Sequence, residues 1–200
     1  IRADKNSKVL VIGAETLSSK LNWQDRNTCI LFGDGAGAAV IGHVEDEGRE
    51  IIDTNHCSDG RLWDLLYMHN APSNNPDLLV DENPGSHIVM QGKEVFKHAV
   101  KAMEDSVRGL LDQTGISIAD IDVIIPHQAN TRIINKVVER LALPKERVVL
   151  NVMKYGNTSA ASIPIALDET NRADMLKKGD TILFCTFGGG FAWGSALLKW

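Results

Sequence analysis

The sequence has few cysteines and no long hydrophobic run, and each absence excludes a class of protein. Its 200 residues include three cysteines, Cys29, Cys57 and Cys185, with no CxxC spacing among them. We therefore expect neither a zinc knuckle nor a disulfide framework, and a reducing, cytoplasmic setting is favoured. No apolar stretch approaches the roughly 20 residues that span a bilayer, so we expect no membrane segment.

Basic residues are also too few for a typical nucleic-acid-binding protein. The chain has 21 Lys and Arg against 26 Asp and Glu, a net charge of −5. Proteins that hold nucleic acid present a basic face, so no nucleic-acid partner is expected. Hydrophobic residues make up 44% and charged residues 24%, as in folded globular chains. The chain begins with Ile1 and a polar segment without signal-peptide character, so we expect its gene to begin further upstream.

Apolar spacing predicts alternating helices and strands from residue 89 onward. The predicted helices cover residues 94–111, with Gly115 as C-cap, 131–141 and 159–176. The predicted strands cover 121–125, 148–152, 181–187 and 191–199, and the last two are expected to form a hairpin through the glycine turn at 188–190. Such alternation indicates an α/β domain in which helices cover a largely parallel sheet. Earlier strands are predicted at 9–13, 29–32, 33–42 and 50–55, followed by an acidic, loop-rich stretch.

Two segments resemble reactive sites, but their local pattern does not fit the chemistry. The glycine-rich stretch at residues 33–39 lacks the GxGxxG spacing and runs into a strand, which argues against dinucleotide binding. His56 and Cys57 are adjacent in a predicted loop, and adjacent side chains rarely face each other as a nucleophile pair needs. Cys185, inside an apolar strand, is interpreted as a core residue. No cluster has metal-ligand spacing, so no metal site is expected.

Three junctions between predicted elements are better candidates for chemistry, because reactive groups in α/β sheets collect where strands end. His127 follows the strand 121–125 and could transfer a proton near neutral pH, although a histidine held in a loop is the simpler interpretation. Asn157 offers an amide N–H to a developing oxyanion, or belongs to an ordinary Gly-Asn turn. The three glycines at 188–190 can expose backbone N–H groups to a ligand, or form a flexible turn.

Taken together, these junctions resemble the β-ketoacyl-acyl-carrier-protein synthase III family, the initiating condensing enzymes of bacterial fatty acid synthesis. The resemblance rests on PHQAN around His127, GNTSAAS around Asn157 and the ending FGGGFAWGSAL. LVIGAETLS, ILFGDGAGAAV and MQGKEVFKHAV support it, and the match is weakest between residues 43 and 86. Elongating condensing enzymes resemble one another in carrying a second histidine where this chain has Asn157.

The resemblance implies a fold, a reaction and partners. The fold is thiolase-like, an αβαβα layered sandwich, and this chain would cover the end of the N-terminal half (1–45), a loop-rich connection (46–88) and the C-terminal half (89–200). The reaction joins an acetyl group from acetyl-CoA, carried on a cysteine, to a malonyl group on acyl carrier protein, with loss of carbon dioxide. Acetyl-CoA is a substrate, no separate cofactor is implied, and the enzyme would be a homodimer.

Specific residues are implied for each step. His127 and Asn157 would hold the malonyl thioester carbonyl, and the Gly189 N–H would form an oxyanion hole. The remaining implied sites are the CoA-pantetheine arm (Gly92, Phe96, Ala129 and Asn130) and the acyl carrier protein (Lys97, Gln128 and Arg132). The family's nucleophilic cysteine lies upstream of the segment matching residues 9–13, so none of this chain's three cysteines is expected to be the nucleophile.

Two other interpretations remain open at this stage. A sister enzyme on the same scaffold, such as an alkylquinolone synthase or a polyketide-starter acyltransferase, would share the histidine and the asparagine but use other acyl groups. A non-catalytic partner subunit or fragment would keep the fold without the reaction. Acyl-CoA preference distinguishes the first from a fatty acid enzyme, and the mass of the gene product addresses the second.

Overall fold

The computed structural model describes residues 6–45, 48–68 and 87–200. The N-terminal elements are β1 (Lys8–Glu15), α1 (Arg26–Cys29) and β2 (Gly35–Gly42), followed by β3 (Glu50–Ser58), β4 (Leu66–Met68) and β5 (Ile88–Met90). The C-terminal elements are α2 (Gly92–Thr114), β6 (Val123–Pro126), α3 (Thr131–Arg140), α4 (Val152–Tyr155), α5 (Ser162–Arg172), β7 (Thr181–Gly188) and β8 (Ala192–Lys199).

A four-stranded sheet with the order β3-β8-β7-β6 forms the centre of the C-terminal region. Strands β7 and β8 are antiparallel, β3 and β8 are antiparallel, and β6 runs parallel to β7. The expectation of a largely parallel sheet is therefore wrong for the strands described. The reason is the short glycine turn after β7, which leaves room only for a hairpin and so places β8 antiparallel to its neighbour.

Helices cover both faces of this sheet. On one face, α2 and α3 place Leu110 and Ile134 against Leu183 of β7, all three fully buried. On the other face, Ala166 of α5 packs with Ile125 and Ile182. The predicted end of α2 is confirmed, since Gly115 has a φ of 70° and its N–H donates to the Leu111 carbonyl at 2.9 Å.

The strands β1 and β2 form a second, antiparallel sheet, called here the β1–β2 ribbon, in which Gly37 pairs with Gly13. The ribbon packs on the side of α5 that faces away from the four-stranded sheet. A Cβ at Gly37 would lie only 2.9 Å from Pro164 Cβ, which shows how closely the two backbones approach. Helices α2 and α3, the four-stranded sheet, α5 and the ribbon thus form successive layers, in the order expected for an αβαβα sandwich.

Two predicted strands are not present. Residues 29–32 were expected to be extended, but the segment before Ile30 is the short helix α1, because the Asp25 carboxylate accepts the Asn27 N–H at 3.0 Å and caps it. Residues 148–152 make one parallel bridge, between Ile124 and Val148, and α4 begins at Val152. The predicted helix 159–176 is confirmed in its middle as α5, after a 3₁₀ turn at Ser159–Ala161.

Among the described helices, none combines the length and the hydropathy that crossing a bilayer requires. Much of the predicted loop-rich connection, residues 69–86, lies outside the described residues. Strand β3 falls within the same predicted connection, yet it pairs along its length with β8 and so extends the C-terminal sheet. His56 and Cys57, expected in a loop, are therefore strand residues that lie opposite Gly194 and Trp193.

Candidate active site

His127 follows β6 directly, and its backbone and ring are both held in place. Its N–H donates to the Cys185 carbonyl of β7 at 2.8 Å, which continues the parallel pairing of the two strands. The ring Nδ1 lies 2.6 Å from the Ser162 hydroxyl at the start of α5. The residue is 8% exposed, and burial lowers the pKa of the imidazole to about 4. His127 is therefore neutral at neutral pH.

Asn157 lies in the turn between α4 and α5 and is anchored to the N-terminal region. Its N–H donates to the Leu31 carbonyl at 2.8 Å, and its carbonyl accepts the Gly33 N–H at 2.9 Å. A side chain at Gly33 would overlap the Tyr155 carbonyl oxygen, so this close approach requires glycine. The Asn157 side-chain oxygen accepts the Ser159 N–H at 2.9 Å, which fixes the orientation of the side-chain amide.

The glycine turn between β7 and β8 supplies a backbone donor. Gly190 has a φ of 131°, a conformation that favours glycine. A Cβ at Gly189 would lie 3.1 Å from the Leu66 carbonyl oxygen, so the turn packs closely against β4. Within the described part of the chain, the Gly189 N–H donates to no backbone carbonyl.

The structure brings these three groups together in one cleft of about 1030 Å³. Five further residues implied by the sequence also line this cleft: Gly92, Phe96, Ala129, Asn130 and Arg132. Among these, Asn130 caps α3, because its side-chain oxygen accepts the Ile133 N–H at 2.9 Å. The walls are mainly apolar, which strengthens hydrogen bonds made inside the cleft.

Gln128 and Lys97 do not line the cleft. Gln128 is 1% exposed, and its amide joins the end of β6 to α4 by donating to the Val149 carbonyl and accepting the N–H groups of Asn151 and Val152. A direct contact between Gln128 and a carrier protein is therefore wrong, because every side-chain polar atom is already used inside the fold. Lys97 is exposed and pairs with Glu94 at 3.1 Å.

Sequence reasoning missed Ser162 and Lys93. Ser162 ends the quoted motif GNTSAAS, but nothing in the sequence shows that its hydroxyl reaches a histidine 35 positions earlier. Lys93 lines the cleft beside Gly92. Spacing gave no signal for it, since Lys97 lies one helical turn later on the same helix and does not line the cleft.

Two cysteines, Cys57 and Cys185, line the cleft. Burial raises the pKa of the Cys185 thiol to about 12, which keeps it protonated. Over residues 6–45, 48–68 and 87–200, neither thiol hydrogen-bonds to His127 or Asn157, and no three His, Cys, Asp or Glu side chains group as metal ligands.

A neutral imidazole, an amide and a backbone N–H that share an apolar cleft can stabilise an oxygen anion. Fixed donors of this kind act on charge that develops only during a reaction. The layered fold and this set of donors define the class: the chain has a thiolase-like fold with a candidate site for enolate or oxyanion chemistry.

Sequence and structure comparisons narrow the class to one family. The 3-oxoacyl-[acyl-carrier-protein (ACP)] synthase III model matches residues 1–60, and the corresponding C-terminal model matches residues 111–200. A β-ketoacyl-[acyl-carrier-protein] synthase III of Desulfotalea psychrophila is 53% identical over 193 residues, covering 96% of this chain and 59% of that protein. The chain belongs to the 3-oxoacyl-[acyl-carrier-protein] synthase III family, and it spans about three-fifths of the length of the curated relatives it matches.

Two solved structures show how far the fold agreement extends. The 3-oxoacyl-[acyl-carrier-protein] synthase III of Aquifex aeolicus has a TM-score of 0.87 and 46% identity, over 96% of this chain and 58% of that chain. The priming β-ketosynthase of the R1128 polyketide biosynthetic pathway has a TM-score of 0.83 and 33% identity, over 96% of this chain and 57% of that chain.

Proposed function

We propose that the protein is an acyltransferase that condenses acetyl-CoA with malonyl-acyl-carrier-protein to begin fatty acid synthesis. The observation that carries the proposal is the convergence of His127, Asn157 and the Gly189 N–H on one apolar cleft. The partners are the acyl carrier protein and acetyl-CoA, with no separate cofactor, and the working form is a cytoplasmic homodimer. In this proposal, residues 1–45 end one half of the sandwich, 46–88 connect it, and 89–200 form the other half.

The reaction has two stages. A cysteine thiolate attacks the acetyl thioester, and CoA leaves as a thiolate that takes a proton from water. The malonyl thioester then loses carbon dioxide, and the enolate oxygen accepts hydrogen bonds from His127 and Asn157. The enolate carbon attacks the acyl-cysteine carbonyl, the Gly189 N–H holds the resulting oxyanion, and the cysteine leaves as a thiolate. Both groups of donors act on charge that is largest near a transition state.

The two stages give a direct test in the whole gene product. His127→Ala and Asn157→Ala should each reduce malonyl decarboxylation by about 10²–10³-fold, the usual effect of removing one oxyanion donor. Acetyl transfer to the cysteine should fall much less, because that step does not form the enolate. Release of carbon dioxide and acetyl incorporation measure the two stages separately, and the exposed His43→Ala is the matched control. Equal losses in both stages would mean that His127 and Asn157 only support the fold.

We place the nucleophile outside the three cysteines of this chain. The Cys185 thiol is protonated at neutral pH, and Cys57 has no hydrogen bond to His127 or Asn157 within the residues described. A chain of these 200 residues should therefore gain no acetyl group from acetyl-CoA, because transfer needs a thiolate beside the two donors. Intact-mass measurement checks this, with the whole gene product as control. Acetylation of Cys57 would contradict the assignment.

The carrier protein would dock where basic groups meet the mouth of the cleft. Arg132 and Lys93 both line it, whereas the Lys97 ammonium is bound by Glu94. Acyl carrier proteins are acidic, so complementary charge steers their approach. In this proposal Arg132 makes the main contact and Lys97 a weaker one.

A related starter acyltransferase of secondary metabolism is the second candidate. The observation that favours it is the 33% identity with a priming ketosynthase of a polyketide pathway. The two candidates share His127 and Asn157 and differ in the acyl group transferred. Rates measured with a series of acyl-CoA primers distinguish them: preference for acetyl-CoA supports the fatty acid enzyme, and preference for longer or branched primers supports the alternative.

A further inference from the structure

The hydroxyl of Ser162 has two partners, and both lie at the end of β6. His127 Nδ1 is 2.6 Å from Ser162 Oγ, and the Gln128 N–H donates to the same oxygen at 3.3 Å. Ser162 is 2% exposed and begins α5, a helix held between the two sheets. The hydroxyl is therefore fixed by the fold, out of contact with solvent, against one edge of the His127 ring.

We propose that Ser162 is a positioning residue that holds neutral His127 in the tautomer protonated on Nε2. The role rests on the proposed function, because it matters for catalysis only if His127 donates a hydrogen bond to substrate. Ser162 itself does not line the cleft and would act only through the imidazole.

The assignment follows from counting protons and lone pairs. A backbone N–H can only donate, so Ser162 Oγ accepts from Gln128 through one lone pair. The hydroxyl proton then needs an acceptor, and among the residues described His127 Nδ1 is the one within reach. A neutral imidazole has one N–H and one bare nitrogen, so a bare Nδ1 places the proton on Nε2.

The opposite tautomer would leave a polar hydrogen without a partner. If Nδ1 carried the proton, it would donate to Ser162 Oγ, and the hydroxyl proton would face the buried interior unpaired. Buried donors without acceptors are strongly disfavoured. Burial disfavours the doubly protonated ring as well, since the pKa of His127 is lowered to about 4.

The consequence lies on the other edge of the ring. With Nδ1 turned to Ser162, Nε2 opens onto the cleft that His127 lines together with Asn157. A protonated Nε2 donates to an enolate oxygen, whereas a bare Nε2 would repel it. Ser162 would thus convert a histidine with two possible tautomers into a fixed donor, ready before substrate binds.

Nitrogen NMR of the imidazole tests the tautomer directly and without substrate. The gene product is labelled with ¹⁵N-histidine and studied at neutral pH, and the signals missing from the His127→Gln variant assign the ring. We expect the unmodified protein to show a bare Nδ1 and a protonated Nε2, and Ser162→Ala to show averaged signals from tautomer exchange. Ser162→Thr, which keeps the hydroxyl, should restore the original pair. Once His127→Gln has assigned the ring, a protonated Nδ1 in the unmodified protein would overturn the proposal even if neither Ser162 variant folds.

The two stages of the reaction then show whether the tautomer matters. Ser162→Ala should reduce decarboxylation by about tenfold, the effect of one lost positioning hydrogen bond, and leave acetyl transfer within about twofold. Loss of both stages together, or unchanged ring signals in Ser162→Ala, would overturn the positioning role. If His127→Gln itself leaves decarboxylation intact, the proposed function fails, while the NMR result still decides whether Ser162 sets the tautomer.

Discussion

Two apolar strands of similar composition lie in very different surroundings in this molecule. In β1, Leu10 and Ile12 are 60% and 62% exposed, whereas Ile182 and Leu183 of β7 are fully buried. The difference comes from what covers each sheet: helices pack on both faces of the four-stranded sheet, but the described residues cover the β1–β2 ribbon mainly through α5. An apolar run therefore specifies a strand, and its burial depends on segments far away in sequence.

The largest expected effect is in the buried sheet. Leu183→Ala should lower the free energy of unfolding by about 2–5 kcal/mol, because it removes a fully buried side chain and leaves a cavity. In a chain of these 200 residues, the matched variant Leu10→Ala, in the exposed ribbon, should cost less than about 1 kcal/mol. Urea unfolding followed by circular dichroism measures both. A large loss of unfolding free energy in Leu10→Ala would show that the ribbon is covered in solution, and the contrast between the two strands would then be wrong.

Two glycines of the ribbon differ in how much space surrounds them, and comparing their variants tests whether the ribbon packs closely. A side chain at Gly13 would overlap the carbonyl oxygen of Ala160, which lies between Asn157 and Ser162 in the sequence. Gly13→Ala should therefore cost about 1–3 kcal/mol, as overpacking does.

At Gly42, an added Cβ would meet, among the described residues, only the Lys8 side chain, at 3.6 Å. Gly42→Ala, the matched control, should change stability by less than about 0.5 kcal/mol. Thermal unfolding of the two variants is the measurement. Equal stability of Gly13→Ala and Gly42→Ala would mean that the ribbon does not pack against this turn.

A smaller effect is expected in α5, the helix between the two sheets. Glu169 accepts hydrogen bonds from Lys154, Tyr155 and Asn151, which lower the pKa of its carboxyl from 4.5 to about 2. Because the folded state favours the carboxylate, its stabilisation is complete above about pH 4.5 and is lost as the pH falls toward 2.

Glu169→Gln should therefore cost about 1 kcal/mol at neutral pH, a figure reduced for the partial exposure of the side chain. The deficit should shrink between pH 4.5 and 2. Asp168→Asn, on the exposed side of the same helix, is the control and should change little at any pH. Unfolding curves at several pH values measure this loss of stability. A loss in Glu169→Gln that stays constant with pH would rule out the ion-pair explanation.

Local patterns in the sequence predicted the elements that local forces determine. Helical spacing identified the core of α2 and of α3, and the apolar runs identified β6, β7 and β8, because amphipathic periodicity is a property of consecutive residues. Prediction failed at residues 29–32, where the Asp25 cap outweighs a short apolar run. It failed at 148–152, where Gln128 binds the backbone in place of a neighbouring strand.

In the candidate site, too, local patterns predicted some features and not others. The positions of His127 and Asn157 at element junctions could be predicted, and the family resemblance assigned their roles. Neither pattern distinguished His127, which faces the cleft, from Gln128, which is buried in the fold one residue later. Adjacent residues share one local pattern, and their surroundings are supplied by distant segments such as Ser162 and Asn151.

The sequence by itself determined the kinds of elements, their order and the chemical groups present in the candidate site. The tertiary structure decided which apolar strand is buried, which face of the PHQAN segment meets the cleft, and which hydroxyl lies against the imidazole. The physical reason is that secondary structure depends on neighbours along the chain, whereas burial, pKa and hydrogen-bond partners depend on neighbours in space.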